Sequence, residues 1–214
     1  MSEIVQYFPG ILLAYAAHFL TVVSPGPNVL CLMGTSMSAG RKVGLVYAAG
    51  IAVGTLTWGI LSVVGLAALI SGYAAALYAI KIFGGVYLLW LAFKAFKSSL
   101  SESDIEAQSL AEAGSSNFVY FRRAYIINMT NPKAALGWVA IVSLGLSESS
   151  PSWVGLAIIA GTFLNSLIIH ILFACVFSTE LMLRSYMKAR RSIQAAMGVV
   201  FAFAGYKLLE TKVA

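Results

Sequence analysis

The chain has 214 residues, of which 60% are hydrophobic and only 10% charged, and its mean hydropathy is +0.87. Soluble domains carry about a quarter charged residues, so this composition excludes an ordinary soluble domain and indicates an integral membrane protein. The net charge of +6 favours basic cytoplasmic loops over binding to nucleic acid. The N-terminus lacks a basic region and a cleavage-site pattern, so we expect a retained first helix and not a signal peptide.

Six apolar segments follow one another along the chain, and a membrane-spanning helix needs about 20 apolar residues. They run over Ile4–Met37, Val43–Ile70, Tyr73–Phe96, Ala124–Leu146, Trp153–Phe177 and Ile193–Leu209. The polar stretch Lys97–Asn117 separates the third from the fourth, and its Ser, Glu and Ala content predicts a flexible loop. We therefore predict an all-α integral membrane protein with six transmembrane helices.

The basic residues orient this arrangement. Ten of the fourteen would lie on one side, which the positive-inside rule assigns to the cytoplasm. They are Arg41, Lys42, Lys94, Lys97, Arg122, Arg123, Arg184, Lys188, Arg190 and Arg191. Both termini are then expected outside, although Lys207 and Lys212 near the C-terminus deviate from the rule.

An internal repeat divides the chain into halves. "GLVYAAG" from Gly44 resembles "GLAIIAG" from Gly155, and "GVYLLWLAFK" from Gly85 resembles "GVVFAFAGYK" from Gly198. A unit of three helices crosses the membrane an odd number of times, so its copy enters from the opposite side. We expect two inverted three-helix repeats, residues 1–97 and 122–214, joined by a cytoplasmic loop, 98–121. This layout is typical of secondary transporters.

The first and fourth segments each contain a helix breaker at their centre. Segment one carries "SPGPN" within Thr21–Gly34, and segment four carries "NPK" within Asn128–Trp138. Interrupted helices are tolerated in lipid where the freed backbone groups face protein or a water-filled cavity, and paired breaks indicate a binding site at the membrane midplane. The predicted substrate-binding residues are Ser24, Pro25, Gly26, Pro27, Asn28, Asn131, Pro132 and Lys133. The alternative is that the prolines only kink packed helices.

The chemistry at such breaks suits a zwitterion. A new half-helix is expected to start near Asn28 and another near Ala134, and their free N–H groups favour a carboxylate. The freed carbonyl groups on the other side of each break can accept hydrogen bonds from an ammonium group. An amino acid carries both groups.

Few ionisable side chains lie at membrane depth. Lys133 is expected to pair with a substrate carboxylate or with freed carbonyl groups, because an intramembrane charge is costly. His18 and His170 are candidates for proton coupling, since histidine changes charge near neutral pH, although a hydrogen-bonded packing residue is the more common role of a buried histidine. Thr130, Asn165 and Ser166 are further polar candidates.

These motifs together resemble the lysine-exporter (LysE-type) translocators, most closely the homoserine/threonine-exporter (RhtB-type) branch. The likeness rests on "SPGPNVL", "GRKVGLVYAAGIAVG", "GGVYLLWLAFKAF", "NMTNPKAALGW" and "MGVVFAFAGYKLL" in that order. It covers nearly the whole chain outside the long loop. The resemblance implies a bacterial inner-membrane exporter of amino acids or their derivatives, driven by the proton motive force and assembled as a homodimer.

Three other functions remain open at this point. A channel would share the pore but not the coupling, and a metal-ion exporter, a type known among relatives of this family, would need grouped Cys, His or carboxylate ligands. Here Cys31 and Cys175 are lone candidates. A membrane enzyme would need a catalytic constellation, and HExxH, GxSxG and a phosphate-binding ATPase motif are absent from the sequence. We expect no cofactor and no metal, and the lack of acidic residues near the breaks favours a neutral amino acid such as threonine or homoserine.

Overall fold

The computed structural model describes residues 2–72, 74–100, 116–147 and 149–210. All regular secondary structure in these ranges is α-helical, which confirms the predicted class. The helices are α1 (Ser2–Val23), α2 (Pro27–Ser38), α3 (Arg41–Gly72), α4 (Ala74–Leu100), α5 (Asn117–Thr130), α6 (Pro132–Gly145), α7 (Ser152–Val176) and α8 (Glu180–Glu210).

Four stretches among the described residues are long and apolar enough to cross a membrane: Val5–Val23, Arg41–Leu66, Ser152–Val176 and Lys188–Glu210. They lie in α1, α3, α7 and α8, and α6 is a shorter apolar helix. Much of the apolar surface on these helices remains exposed, for example Val64, Leu156 and Phe203. Such side chains suit contact with lipid tails, and the chain is a multi-pass membrane protein.

Both predicted helix breaks are present. The first segment divides into α1 and α2 at Ser24–Gly26, and the fourth divides into α5 and α6 at Asn131. Each second half-helix begins with a proline, Pro27 or Pro132. Proline fits this position because the first N–H groups of a helix have no partner inside it. The half-helices therefore begin slightly before the residues predicted from the sequence.

Several helix ends differ from the apolar segments. α8 begins at Glu180, well before Ile193, and α5 begins at Asn117, before Ala124. α4 continues to Leu100, so the expected loop from Lys97 was placed too early. The prediction was based on hydrophobicity, which identifies only the residues that can lie in the lipid. Polar residues can continue the same helix into water, where exposing them costs no free energy of transfer. Residues 101–115 of the loop, and Tyr73, lie outside the described residues.

Glycines allow the long helices to approach closely, as the sequence indicates for Gly50, Gly54, Gly84, Gly85 and Gly198. On α3, a Cβ atom at Gly50 would clash with the backbone carbonyl of Phe121 in α5. On α7, a Cβ atom at Gly161 would clash with the ring of Tyr15 in α1. α3 therefore packs closely against α5, and α7 packs closely against α1, in each case at a glycine.

In the pair formed by α4 and α8, each helix contributes a glycine that packs against the other helix. A Cβ atom at Gly85 in α4 would lie 2.6 Å from Cγ of Leu209 in α8. In the opposite sense, a Cβ atom at Gly198 in α8 would lie 2.8 Å from the ring of Phe96 in α4. Gly85 and Gly198 are the matching residues of the sequence repeat, and each packs against the other helix.

Two apolar clusters lie towards opposite ends of the helices. The first, on the side of the N-terminus, consists of Ile11, Ala14, Ala17, Leu66, Trp138, Ile141, Val142, Val154 and Ile158. The second, on the side of Arg41 and Arg123, consists of Cys31, Leu32, Tyr47, Ala48, Ile51, Ala124 and Ala174. The two helix breaks lie between the clusters.

Candidate functional site

A small polar cavity of about 40 Å³ lies between the two helix breaks. Its lining comprises His18, Thr21, Val22, Ser24, Gly26, Asn28, Val29, Thr55, Asn128, Asn131, Lys133, Ala134, Trp138, Ile141 and His170. Pockets that hold small ligands span about 300–1,000 Å³, so the cavity is too small for an amino acid in this conformation. Its polar lining is nonetheless unusual for a position at the centre of apolar helices.

Lys133 links the two breaks directly. Its Nζ atom donates a hydrogen bond of 2.8 Å to the carbonyl oxygen of Ser24, at the end of α1. The aliphatic part of the side chain passes over Gly26, whose Cβ position would lie 3.5 Å from Cδ of Lys133. The hydroxyl group of Tyr87 on α4 donates a hydrogen bond of 3.2 Å to the backbone carbonyl of Lys133. The side chain is half-buried and satisfies a carbonyl group that the break leaves free.

The two half-helices that start at the breaks have different N-terminal caps. In α6, Oδ1 of Asn131 accepts a hydrogen bond of 3.0 Å from the backbone N–H of Lys133. In α2, the N-cap residue is Gly26, which has no side chain to accept such a bond. The first N–H groups of α2 therefore have no side-chain cap, and the Cβ position of Gly26 lies 3.6 Å from Nζ of Lys133. An anion placed there would meet two sources of positive potential.

A chain of hydrogen bonds joins α3 to α7 at the cavity wall. Oγ1 of Thr55 lies 3.1 Å from Oγ of Ser166, and Nδ1 of His170 donates to the carbonyl oxygen of Ser166 at 2.7 Å. A carbonyl oxygen only accepts, so Nδ1 carries a hydrogen and Nε2 of the neutral ring remains an acceptor. His170 is thus oriented by its own helix through Nδ1.

Three buried polar atoms around the cavity have no hydrogen-bond partner among the described residues: Nδ1 of His18, Oδ1 of Asn28 and Oδ1 of Asn128. Buried polar groups in folded proteins are nearly always paired. Outside the cavity lining, Oγ1 of Thr35 and the hydroxyl groups of Tyr47 and Tyr186 also lack a partner among the described residues. The ring of His18 lies 6.1 Å from that of Trp138, centroid to centroid.

Most of the predicted site residues come together. Ser24, Gly26, Asn28, Asn131 and Lys133 line the cavity, as do His18 and His170, which we call the cavity histidines. The prolines are not part of the lining; Pro25, Pro27 and Pro132 shape the breaks instead.

Two further candidates lie elsewhere, and the prediction missed four polar or aromatic lining residues besides four aliphatic ones. Thr130 is exposed and bonds to its own helix, whereas Asn165 donates to the carbonyl oxygen of Tyr15. The missed polar or aromatic residues are Thr21, Thr55, Asn128 and Trp138. Asn128 could have been found because it lies one helical turn before Asn131, and Thr55 because it precedes Ser166 by 111 residues, the spacing of the repeat.

The described residues contain no group of three or more His, Cys, Asp or Glu side chains that could hold a metal ion. Cys31 belongs to the second apolar cluster, and neither cysteine is part of the cavity lining.

The family model of the LysE type translocators matches residues 19–212. The chain belongs to the LysE-type translocator family. The match includes both breaks and the whole cavity lining except His18, and it confirms the resemblance drawn from the motifs. LysE-type translocators form a family of amino-acid efflux transporters, so the prediction of a transporter and not an enzyme is also confirmed.

Curated relatives of this LysE-type translocator are bacterial. An uncharacterized membrane protein of Escherichia coli (strain K12), YahN, is 29% identical over 191 residues, which cover 89% of this chain and 84% of that protein. A threonine efflux protein of Salmonella typhi is 28% identical, with 90% and 93% covered. A leucine efflux protein of Klebsiella pneumoniae is 28% identical, with 86% and 87% covered. No solved structure matches the chain.

Proposed function

We propose that this translocator exports a neutral amino acid, similar to threonine or homoserine, or a close derivative, by binding it between the two helix breaks. The observation that carries the proposal is the hydrogen bond from Lys133 to the carbonyl oxygen of Ser24 across the polar cavity. The bond joins a cation to a backbone carbonyl oxygen, and a zwitterion needs one group of each kind.

The main-chain groups of the substrate can be assigned from these contacts. The carboxylate would bind Nζ of Lys133 and the uncapped N-terminus of α2 at Gly26. The ammonium group would donate to the carbonyl oxygen of Ser24, in place of Lys133, and to Oδ1 of Asn28. None of the described lining residues is acidic, which supports a substrate without a positively charged side chain.

We further propose six transmembrane helices in two inverted repeats. The reciprocal contacts support this arrangement: Gly85 packs against α8 as Gly198 packs against α4. Thr55 and Ser166 are equivalent positions of the repeat and bond to each other, as expected for residues on a two-fold axis. The first apolar cluster would then close the outer side of the cavity and the second the inner side, and transport would open them alternately.

The cavity histidines are proposed to exchange a proton against the substrate. Both line the cavity, and Nδ1 of His18 has no hydrogen-bond partner among the described residues. The bacterial inner membrane, with both termini outside, remains the proposed location. Homodimer formation stays a prediction.

The test is efflux from cells preloaded with a panel of labelled amino acids, with and without a protonophore. Selective efflux that stops when the proton gradient collapses supports the proposal. If the folded protein in the membrane moves no amino acid, the proposal is wrong; if it passes ionic current without coupling, a channel replaces it.

A further inference from the structure

Asn128 is held rigidly in the wall of the cavity. It lies in the last turn of α5, its side chain is only 3% exposed, and its Oδ1 atom has no hydrogen-bond partner among the described residues. α3 leaves room for the amide through Gly54, where a Cβ atom would lie 2.7 Å from Oδ1. The backbone carbonyl of Asn128 accepts a hydrogen bond of 3.4 Å from Nε1 of Trp58. Both the main chain and the amide are thus fixed from α3.

The assignment of the substrate's main chain leaves this amide unused. The carboxylate is allotted to Lys133 and α2, and the ammonium group to Ser24 and Asn28. Among the other polar lining residues, Thr55 already bonds to Ser166, Thr21 to its own helix and Asn131 to the N–H of Lys133. The cavity histidines are assigned to the proton, which leaves the amide of Asn128 for the substrate's side chain. An amide oxygen that stays buried without a donor is costly, and a hydroxyl group on the substrate would supply that donor.

We propose that Asn128 determines substrate specificity by accepting a hydrogen bond from a hydroxyl group on the substrate's side chain. This inference rests on the proposed function and deepens it. A site built to hydrogen-bond a hydroxyl group discriminates strongly against an analogue that lacks it, because the buried partner is then left unpaired. Threonine should therefore be exported in preference to valine, which has nearly the same shape and carries a methyl group in place of the hydroxyl.

The experiment compares efflux of labelled threonine and labelled valine by the full-length protein, its Asn128→Leu variant and a matched control, Asn165→Leu. Asn165 lies on α7 outside the cavity lining. We expect the wild type to prefer threonine by about tenfold or more, the loss expected for one unpaired buried group. In Asn128→Leu the preference should fall to about threefold or less, with valine efflux retained. Asn165→Leu should keep the wild-type preference.

A second variant and a binding measurement cover the case in which Asn128→Leu does not fold. Asn128→Ala removes the amide without adding bulk, and the shift in melting temperature caused by each amino acid reports binding to the purified protein. We expect the shift caused by threonine to shrink to that caused by valine. An unchanged preference in a folded variant, equal loss of both substrates, or no preference in the wild type would each overturn the inference. If the wild type exports and binds no amino acid at all, the proposed function itself fails.

Discussion

Replacing Lys133 with Met separates the folding role of this residue from its transport role. The change removes the hydrogen bond to the carbonyl oxygen of Ser24, and a hydrogen bond to a charged group contributes about 1.5–3 kcal/mol. It also removes a charge whose insertion at membrane depth costs about 2.5–3.5 kcal/mol. The two terms nearly cancel, so we expect the free energy of unfolding and the amount of protein in the membrane to change little.

Transport should respond very differently. A carboxylate about 4 Å from the ammonium group, at an effective dielectric constant of about 20, is attracted by about 4 kcal/mol. Because each 1.4 kcal/mol changes an equilibrium tenfold, losing this attraction weakens substrate binding by up to about three orders of magnitude. Lys133→Met should therefore abolish measurable efflux.

The assay is the initial rate of efflux of labelled threonine from preloaded cells, normalised to protein in the membrane by immunoblot. Lys97→Met is the matched control, because Lys97 is an exposed lysine in the last turn of α4, and it should export at the wild-type rate. If Lys133→Met retained a third or more of the wild-type rate, the lysine would not bind the carboxylate and the assignment of the site would be refuted.

Three further predictions follow from the same geometry. Replacing either cavity histidine with Gln should abolish transport driven by a proton gradient but retain exchange of labelled for unlabelled threonine. If exchange were lost as well, the role of that histidine would not be limited to the proton. Gly54→Ala should reduce threonine efflux about tenfold by pushing on Asn128, with an overpacking cost of about 1–3 kcal/mol seen as a lower melting temperature. Gly65→Ala on the same helix, where the described residues place no neighbouring atom within 4 Å of the added Cβ atom, should do neither, and equal effects would contradict the steric reason. Ser149→Cys, without the native cysteines, should react with a membrane-impermeant maleimide added outside intact cells; reaction only after lysis would reverse the proposed orientation.

The sequence predicts the breaks well because their cause is local. Proline lacks an N–H group and fixes its own backbone angle, which favours a break before Pro27 and before Pro132. Pro9 lies inside α1 without ending it, so the additional proline and the glycine of "PGP" and the capping Asn131 also contribute. Lys133 is predictable for a similar reason, since a single charge in an apolar segment needs a partner nearby.

The remaining parts of the site depend on how helices approach one another. Thr55 and Asn128 carry ordinary small polar side chains that could face any neighbour in a membrane protein. Their importance comes from packing, because Gly54 brings α3 close enough to fix the amide of Asn128. Hydrophobicity likewise predicts the part of α8 that can cross the membrane but not the start of the helix at Glu180. A helix can continue into water beyond the lipid, so its ends do not coincide with the ends of the apolar segment.

The small volume of the cavity bears on how a substrate would enter it. A space of about 40 Å³ is far smaller than the pockets of about 300–1,000 Å³ that hold small ligands. An amino acid can therefore enter only if helices move apart, and such motions take microseconds to milliseconds. The motion that opens the cavity then sets an upper limit on how fast a substrate can bind.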